Sequence, residues 1–200
     1  MVEITAGMVK DLRERTGAGM MQCKKALADS GGDVDKAVGI LREMGLAGVA
    51  KRSERVTTQG RIEAYVHAGN QIGVLVEINC ETDFVARTDD FIKLCHEVAL
   101  QIAATSPKWM KLEEVPAEAI EEHARETRTT LVNQTISGED LEKRIEKEQR
   151  RFIEENVLLQ QPNIRDGSKT IGEMVEEFAA RVGENTRISR FCYFRLGGNA

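Results

Sequence analysis

Residues 61–87 read RIEAYVHAGNQIGVLVEINCETDFVAR, and here the apolar residues recur with a period of two. Ile62, Ala64, Val66 and Ala68 share one side of an extended chain, and Val74, Val76, Ile78 and Cys80 share one side of the next. Gly69-Asn70 between them suits a tight hairpin turn. The second strand then runs into Thr82, Asp83, Phe84 and Val85 with no turn residue after Cys80. A threonine capping a helical turn accounts for Thr82, and the helix dipole accounts for Asp83. Phe84 has two readings. Composition favours burial against its own sheet and helix; a ring beside an acid at a strand end also suits a wedge that prises apart a partner's packed surface. The residues alone leave both open.

On the N-terminal side the period is helical. Thr5 caps a first helix in which Ile4 and Val9 form a staple pair and Leu12 continues the apolar face, until TGAG at 16–19 breaks it. A second helix starts near Met20 and stops at Gly31-Gly32. Asp33 caps a third, with Val34, Ala37, Val38 and Leu41 on one face and Gly45 as its expected end. Residues 1–50 thus read as a three-helix N-terminal domain, the polar stretch 51–59 as a linker, and 60–200 as an α+β core.

On the C-terminal side, Phe91, Leu94, Cys95, Val98 and Ile102 make a helical stripe ending before Pro107. A helix follows Pro116, and residues 139–159 carry mixed charge with a thin seam of Leu141, Ile145 and Phe152. Thr170 and Glu173 form a capping box for a helix that Gly183 stops, and TRISRFCYFRL closes the chain as a strand. Three strands with helices between them predict a small antiparallel sheet with helices on one side, an α+β fold.

Composition narrows the function. The 200 residues carry a net charge of −5, which gives no broad basic field for nucleic acid. No apolar run has membrane-spanning length, and the N-terminus has neither a signal-peptide nor a transit-peptide pattern, so a cytoplasmic location is expected. Neither a GxxxxGK[ST] loop nor a GxGxxG motif occurs. His67, His96 and His123 lack ligand spacing, and Cys23, Cys80, Cys95 and Cys192 are too dispersed for a CxxC site, so neither metal nor cofactor is expected. Cys95 and His96 are neighbours on one helix, pointing about 100° apart, which disfavours a thiol enzyme built on Cys95 or Cys80. Of the adjacent Met20 and Met21, one is expected to pack in the bundle and the other to face a partner.

Two stretches, LRERTGAGMMQCKKAL at 12–27 and EINCETDFVAR at 77–87, resemble the signatures of the bacterial elongation factor Ts family, and the likeness continues through QPNIRDGSKTIGEMVEE and RFCYFRLG. Gln22 departs from a family position that is usually acidic. The resemblance implies a guanine-nucleotide exchange factor, not an enzyme, that binds elongation factor Tu in its GDP-bound and nucleotide-free states. Thr82, Asp83, Phe84 and Val85 would be the loop that enters beside the partner's nucleotide and disturbs its magnesium. Arg13, Met20 and Met21, on a domain similar to ubiquitin-associated domains, would grip the partner. The length resembles that of short members, which lack the second core copy and the coiled-coil insertion and form homodimers in a two-to-two complex. Phe191, Cys192 and Phe194 are then candidate dimer residues; Cys192 would face its symmetry mate, although a reduced cytoplasm disfavours a bond between them. A passive helical binding module without exchange activity is the alternative.

Overall fold

Thr5, Asp33 and Thr88 each accept a backbone N–H three residues ahead and so start helices α1 (Ala6–Thr16), α3 (Val34–Arg52) and α5 (Asp89–Thr105). A computed structural model describes residues 4–133 and 138–198, with Leu46 as backbone alone. The other α-helices and strands among the described residues are α2 (Met20–Asp29), β1 (Gln59–Val66), β2 (Ile72–Cys80), α4 (Asp83–Ala86), α6 (Ala117–Asn133), α7 (Glu139–Asn156), α8 (Ile171–Val182) and β3 (Arg187–Arg195). The mixture of helices with one three-stranded antiparallel sheet is the expected α+β fold.

The chain folds as two compact units, each gathered from separated stretches: Met1–Gly60 with Asn79–Ala86 and Val175–Arg187, and Arg61–Ile78 with Arg87–Met174 and Ile188–Ala200. Within the stretch 51–59, α3 takes in Lys51 and Arg52, and the carbonyls of Ser53 and Arg55 both accept from the Asn185 carboxamide.

In the first unit α1, α2 and α3 close on Leu12, Cys23, Ala26, Leu27 and Ala37, all fully buried. Gly17 ends α1 at φ 70°, a left-handed conformation that only glycine adopts without strain. Gly45 does not end α3, contrary to the expectation. A Cβ there would stand 2.9 Å from the Ala180 Cβ of α8, so this glycine permits a close approach of two helices. Arg42 and Glu177 bridge the same pair at 3.7 Å.

In the second unit β2 lies between β1 and β3. The His67 N–H donates to the Ile72 carbonyl and the Leu196 N–H to the Gln71 carbonyl, which sets the register: Ala64 opposite Leu75, and Cys192 opposite Leu75 on the other side. One face carries Val74 and Val76, both buried, and α5 lies on it, since His96 of α5 reaches Glu63 and the Tyr65 ring. The other face presents Ile62, Val66, Leu75 and Phe194 to solvent. The apolar side of β1 that the sequence marks is therefore exposed, because the covering helix occupies the opposite face.

Two further devices order this unit. Gln101 and Gln161 are buried and paired: Gln101 Nε2 donates to Gln161 Oε1 and the Pro162 carbonyl, and its Oε1 accepts from the Ile164 N–H. A satisfied buried network of this kind fixes the path of the chain leading to α8. The helices α6 and α7 form an antiparallel hairpin sealed by Leu131, Leu141 and Ile145, with Arg128 and Glu142 joined at 2.8 Å and His123 stacked on Phe152. A paired-helix segment is thus present. No helix among the described residues is long and apolar enough to cross a membrane.

Replacing Gly45 by leucine is expected to lower unfolding free energy in urea by at least about 1–3 kcal/mol, the usual cost of overpacking. Gly39, on the same helix with open space around it, provides the control: Gly39→Ala is expected to stabilise by about 0.5–1 kcal/mol. Equal effects at the two positions would contradict the close α3–α8 approach.

Candidate partner-binding site

The chain after β2 is shaped by hydrogen bonds to residues more than a hundred positions away. Thr82 donates twice to the Glu184 carboxylate, from its N–H to Oε2 at 3.0 Å and from its hydroxyl to Oε1 at 2.7 Å. Its hydroxyl oxygen also accepts from the Val85 N–H at 3.3 Å, capping α4 as the sequence predicts. One residue earlier, Glu81 accepts from the Asn185 N–H at 2.6 Å and pairs with Arg55 at 3.3 Å. The Cys80 thiol donates to the Thr82 carbonyl at 3.2 Å.

This anchoring decides where the four loop residues point. Val85 is buried, and residues one apart on a helical turn diverge by about 100°, so Phe84 turns outward. The ring is 79 % exposed. Asp83 is exposed beside it. The two readings of Phe84 are thereby separated: its ring contributes little to the core. Of the four sequence-marked loop residues, two form the presented tip and two, Thr82 and Val85, hold it.

Glu184, Asn185 and Arg55 were not marked by the sequence. Their partners are too distant along the chain for any period to reveal them. The one local signal is that the short connection Glu184–Asn185–Thr186, between the stop at Gly183, φ 76°, and the start of β3, is entirely polar. Asn185 is buried, and its carboxamide donates to the Ser53 and Arg55 carbonyls.

In the three-helix bundle Arg13, Met20 and Met21 are all exposed. The expected division of labour between the methionines does not occur, because α2 buries Cys23, Ala26 and Leu27 and the register leaves both methionines outside. Gln22 closes the start of α2 by accepting from the Gly19 N–H at 3.2 Å. A carboxylate would do the same, so the departure at position 22 is compatible with this local structure.

The Cys80 and Cys95 thiols are poorly suited to nucleophilic work. Burial, assisted by the charge of Glu184, pushes the Cys80 thiol up to about 11, so it stays protonated at neutral pH. Cys95 is fully buried, while His96 turns to Glu63 at 3.3 Å. At the third candidate surface, strand alternation separates Phe191 from Cys192 and Phe194. Phe194 lies on the open face of the sheet with Arg190, which pairs with Glu77 at 2.7 Å; Phe191 lies on the side of Val76. Cys192 is half-buried, whereas the other three cysteines are buried.

The exposed ring and acid on their pinned turn and the exposed methionines of the bundle belong to the same unit. Comparison with known proteins gives the family. Residues 35–198 match the model of the family described as Elongation factor TS. The chain is 50 % identical over 194 residues to the elongation factor Ts of Heliobacterium modesticaldum, covering 97 % of this chain and 90 % of that protein. It is 49 % identical over 196 residues to that of Fervidobacterium nodosum and 48 % identical over 198 residues to that of Herpetosiphon aurantiacus, in both cases spanning the whole relative. The chain belongs to the elongation factor Ts family, whose members are elongation factors of protein biosynthesis.

Phe84→Ala is expected to change the unfolding free energy by no more than about 0.5 kcal/mol, as for other surface positions. Val85→Ala, one residue on, is expected to cost about 1.5–2 kcal/mol of lost burial. Thermal unfolding of both variants checks the assignment of outside and inside.

Proposed function

We propose that the protein is a guanine-nucleotide exchange factor that binds GDP-bound elongation factor Tu and speeds GDP release during translation elongation in the cytoplasm. Family membership supports the partner, and the exposed Phe84 on its pinned turn is the observation that carries the mechanism.

Phe84 enters beside the partner's nucleotide site as a wedge, and Asp83 goes with it. Magnesium holds the partner's nucleotide phosphates by direct charge, so disturbing the ion and its ordered water weakens GDP. Thr82 and Val85 keep the pair in place. Arg13, Met20 and Met21 grip the partner from the three-helix bundle, their flexible apolar and cationic side chains suiting a complementary surface. Exchange is then a linkage effect: binding the nucleotide-free state more tightly than the GDP state weakens GDP by the same factor. The chain supplies no bond-making chemistry.

The protein works as a homodimer, in a complex with two copies of the partner. The open sheet face supports this part of the reading, since Ile62, Val66, Leu75, Phe194 and Leu196 all stand exposed there or at its edge. A second copy would cover this apolar area. Cys192 then faces the dimer, while Phe191, on the other side of the strand, does not take part.

Rapid mixing with elongation factor Tu loaded with a fluorescent GDP tests the function. Large acceleration by the natural protein, and at least about tenfold less by Phe84→Ala, is expected if the ring supplies even 1.4 kcal/mol of differential binding. Binding without acceleration would leave a passive module. Sedimentation at micromolar concentration is expected to give a dimer mass, and Leu75→Glu with Phe194→Glu a monomer; a monomer for the natural protein would refute the assembly.

A further inference from the structure

We infer that Glu184 is a positioning residue for nucleotide exchange, fixing the direction in which Phe84 is presented; the inference rests on the wedge reading of that ring. Its two carboxylate oxygens take the N–H and the hydroxyl of Thr82 at 3.0 and 2.7 Å. Two bonds from one planar carboxylate to one residue remove rotation as well as translation, which a single bond does not. Thr82 is the residue from which the turn of α4 springs, so rotation there swings the outward ring two residues on.

The same short stretch holds the loop a second time. The Asn185 N–H donates to Glu81, and the Asn185 carboxamide donates to the carbonyls of Ser53 and Arg55, just past the end of α3. Asn185 is buried and makes three bonds, which gives it the main structural task. Glu184 is only half-buried, and its hydrogen bonds to Thr82 lie in exposed surroundings, where they add little to stability. A carboxylate there is better explained by orientation than by folding. Gly183 brings it into place: its φ of 76° turns the chain sharply at the end of α8, whose Ala180 packs against Gly45 of α3. The α3 helix belongs to the bundle that carries Arg13, Met20 and Met21. Glu184 thus fixes the ring relative to the grip, within one unit of the fold.

Glu184→Ala removes both acceptors, and Glu184→Gln keeps one. The measurements are the maximal rate of stimulated GDP release, the protein concentration giving half that rate, and the melting temperature, each also in a Phe84→Ala background. Glu184→Ala is expected to lower the maximal rate about tenfold, as misplacement of a working group does, with Glu184→Gln intermediate. The half-saturating concentration and melting temperature are expected to change little. In the Phe84→Ala background, removing Glu184 should cost nothing further, because there is no ring left to aim. An undiminished loss in that background would overturn the inference, as would a full rate for Glu184→Ala or a melting temperature that falls in step with the rate. If Glu184→Ala fails to fold, Glu184→Gln decides by the same criteria. Should Phe84→Ala alone keep the full rate, the wedge reading fails and takes this inference with it; if Phe84→Ala is slow and both Glu184 variants are fast, the wedge stands and the inference falls.

Discussion

One carboxylate and one backbone amide, side by side after α8, hold the loop on which the proposed activity depends. Glu184 takes both donors of Thr82, and the Asn185 N–H bonds to Glu81. Without these bonds the chain leaving β2 would have Val85 as its main apolar anchor, on a helix of four residues that cannot stand alone. The placing of this pair depends in turn on α8, which approaches α3 so closely at Ala180 that only glycine fits at position 45. The bundle, the loop and the last turn of α8 consequently belong to one compact unit, although they are far apart in sequence.

That arrangement explains a cost that the protein carries. Leaving the Phe84 ring in water forgoes about 1.5–3 kcal/mol of burial, and Met20 and Met21 are exposed as well. The open face of the sheet repeats the pattern with Ile62, Val66 and Phe194. Scattered apolar residues need no explanation, but these are concentrated on a pinned loop, at the start of one helix and on one sheet face. In the proposed function, partner binding relieves the first two and a second copy of the chain relieves the third.

Much of the fold was legible because it is local. The caps at Thr5, Asp33 and Thr82, the box of Thr170 and Glu173, and the buried stripe of Phe91, Leu94, Cys95, Val98 and Ile102 all follow from neighbours within a few residues. Gly45 misleads for the opposite reason: its role is set by a helix more than a hundred residues away, and inside the sequence it resembles a stop. The same limit applies to the site. Asp83 and Phe84 stand out in their own stretch, whereas Glu184 becomes visible only when folding brings it to Thr82. Alternation along β3 was readable and divides Phe191 from Cys192 and Phe194, but which face is covered depends on where α5 lies.

The central claim is that Phe84 enters the partner beside its nucleotide. A photo-crosslinking benzoylphenylalanine at position 84, irradiated in the complex with GDP-bound elongation factor Tu and mapped by mass spectrometry, tests it most directly. The account predicts an adduct on the partner's segments around the magnesium and phosphates. An adduct on a surface remote from the nucleotide, in a complex that still exchanges, would contradict it.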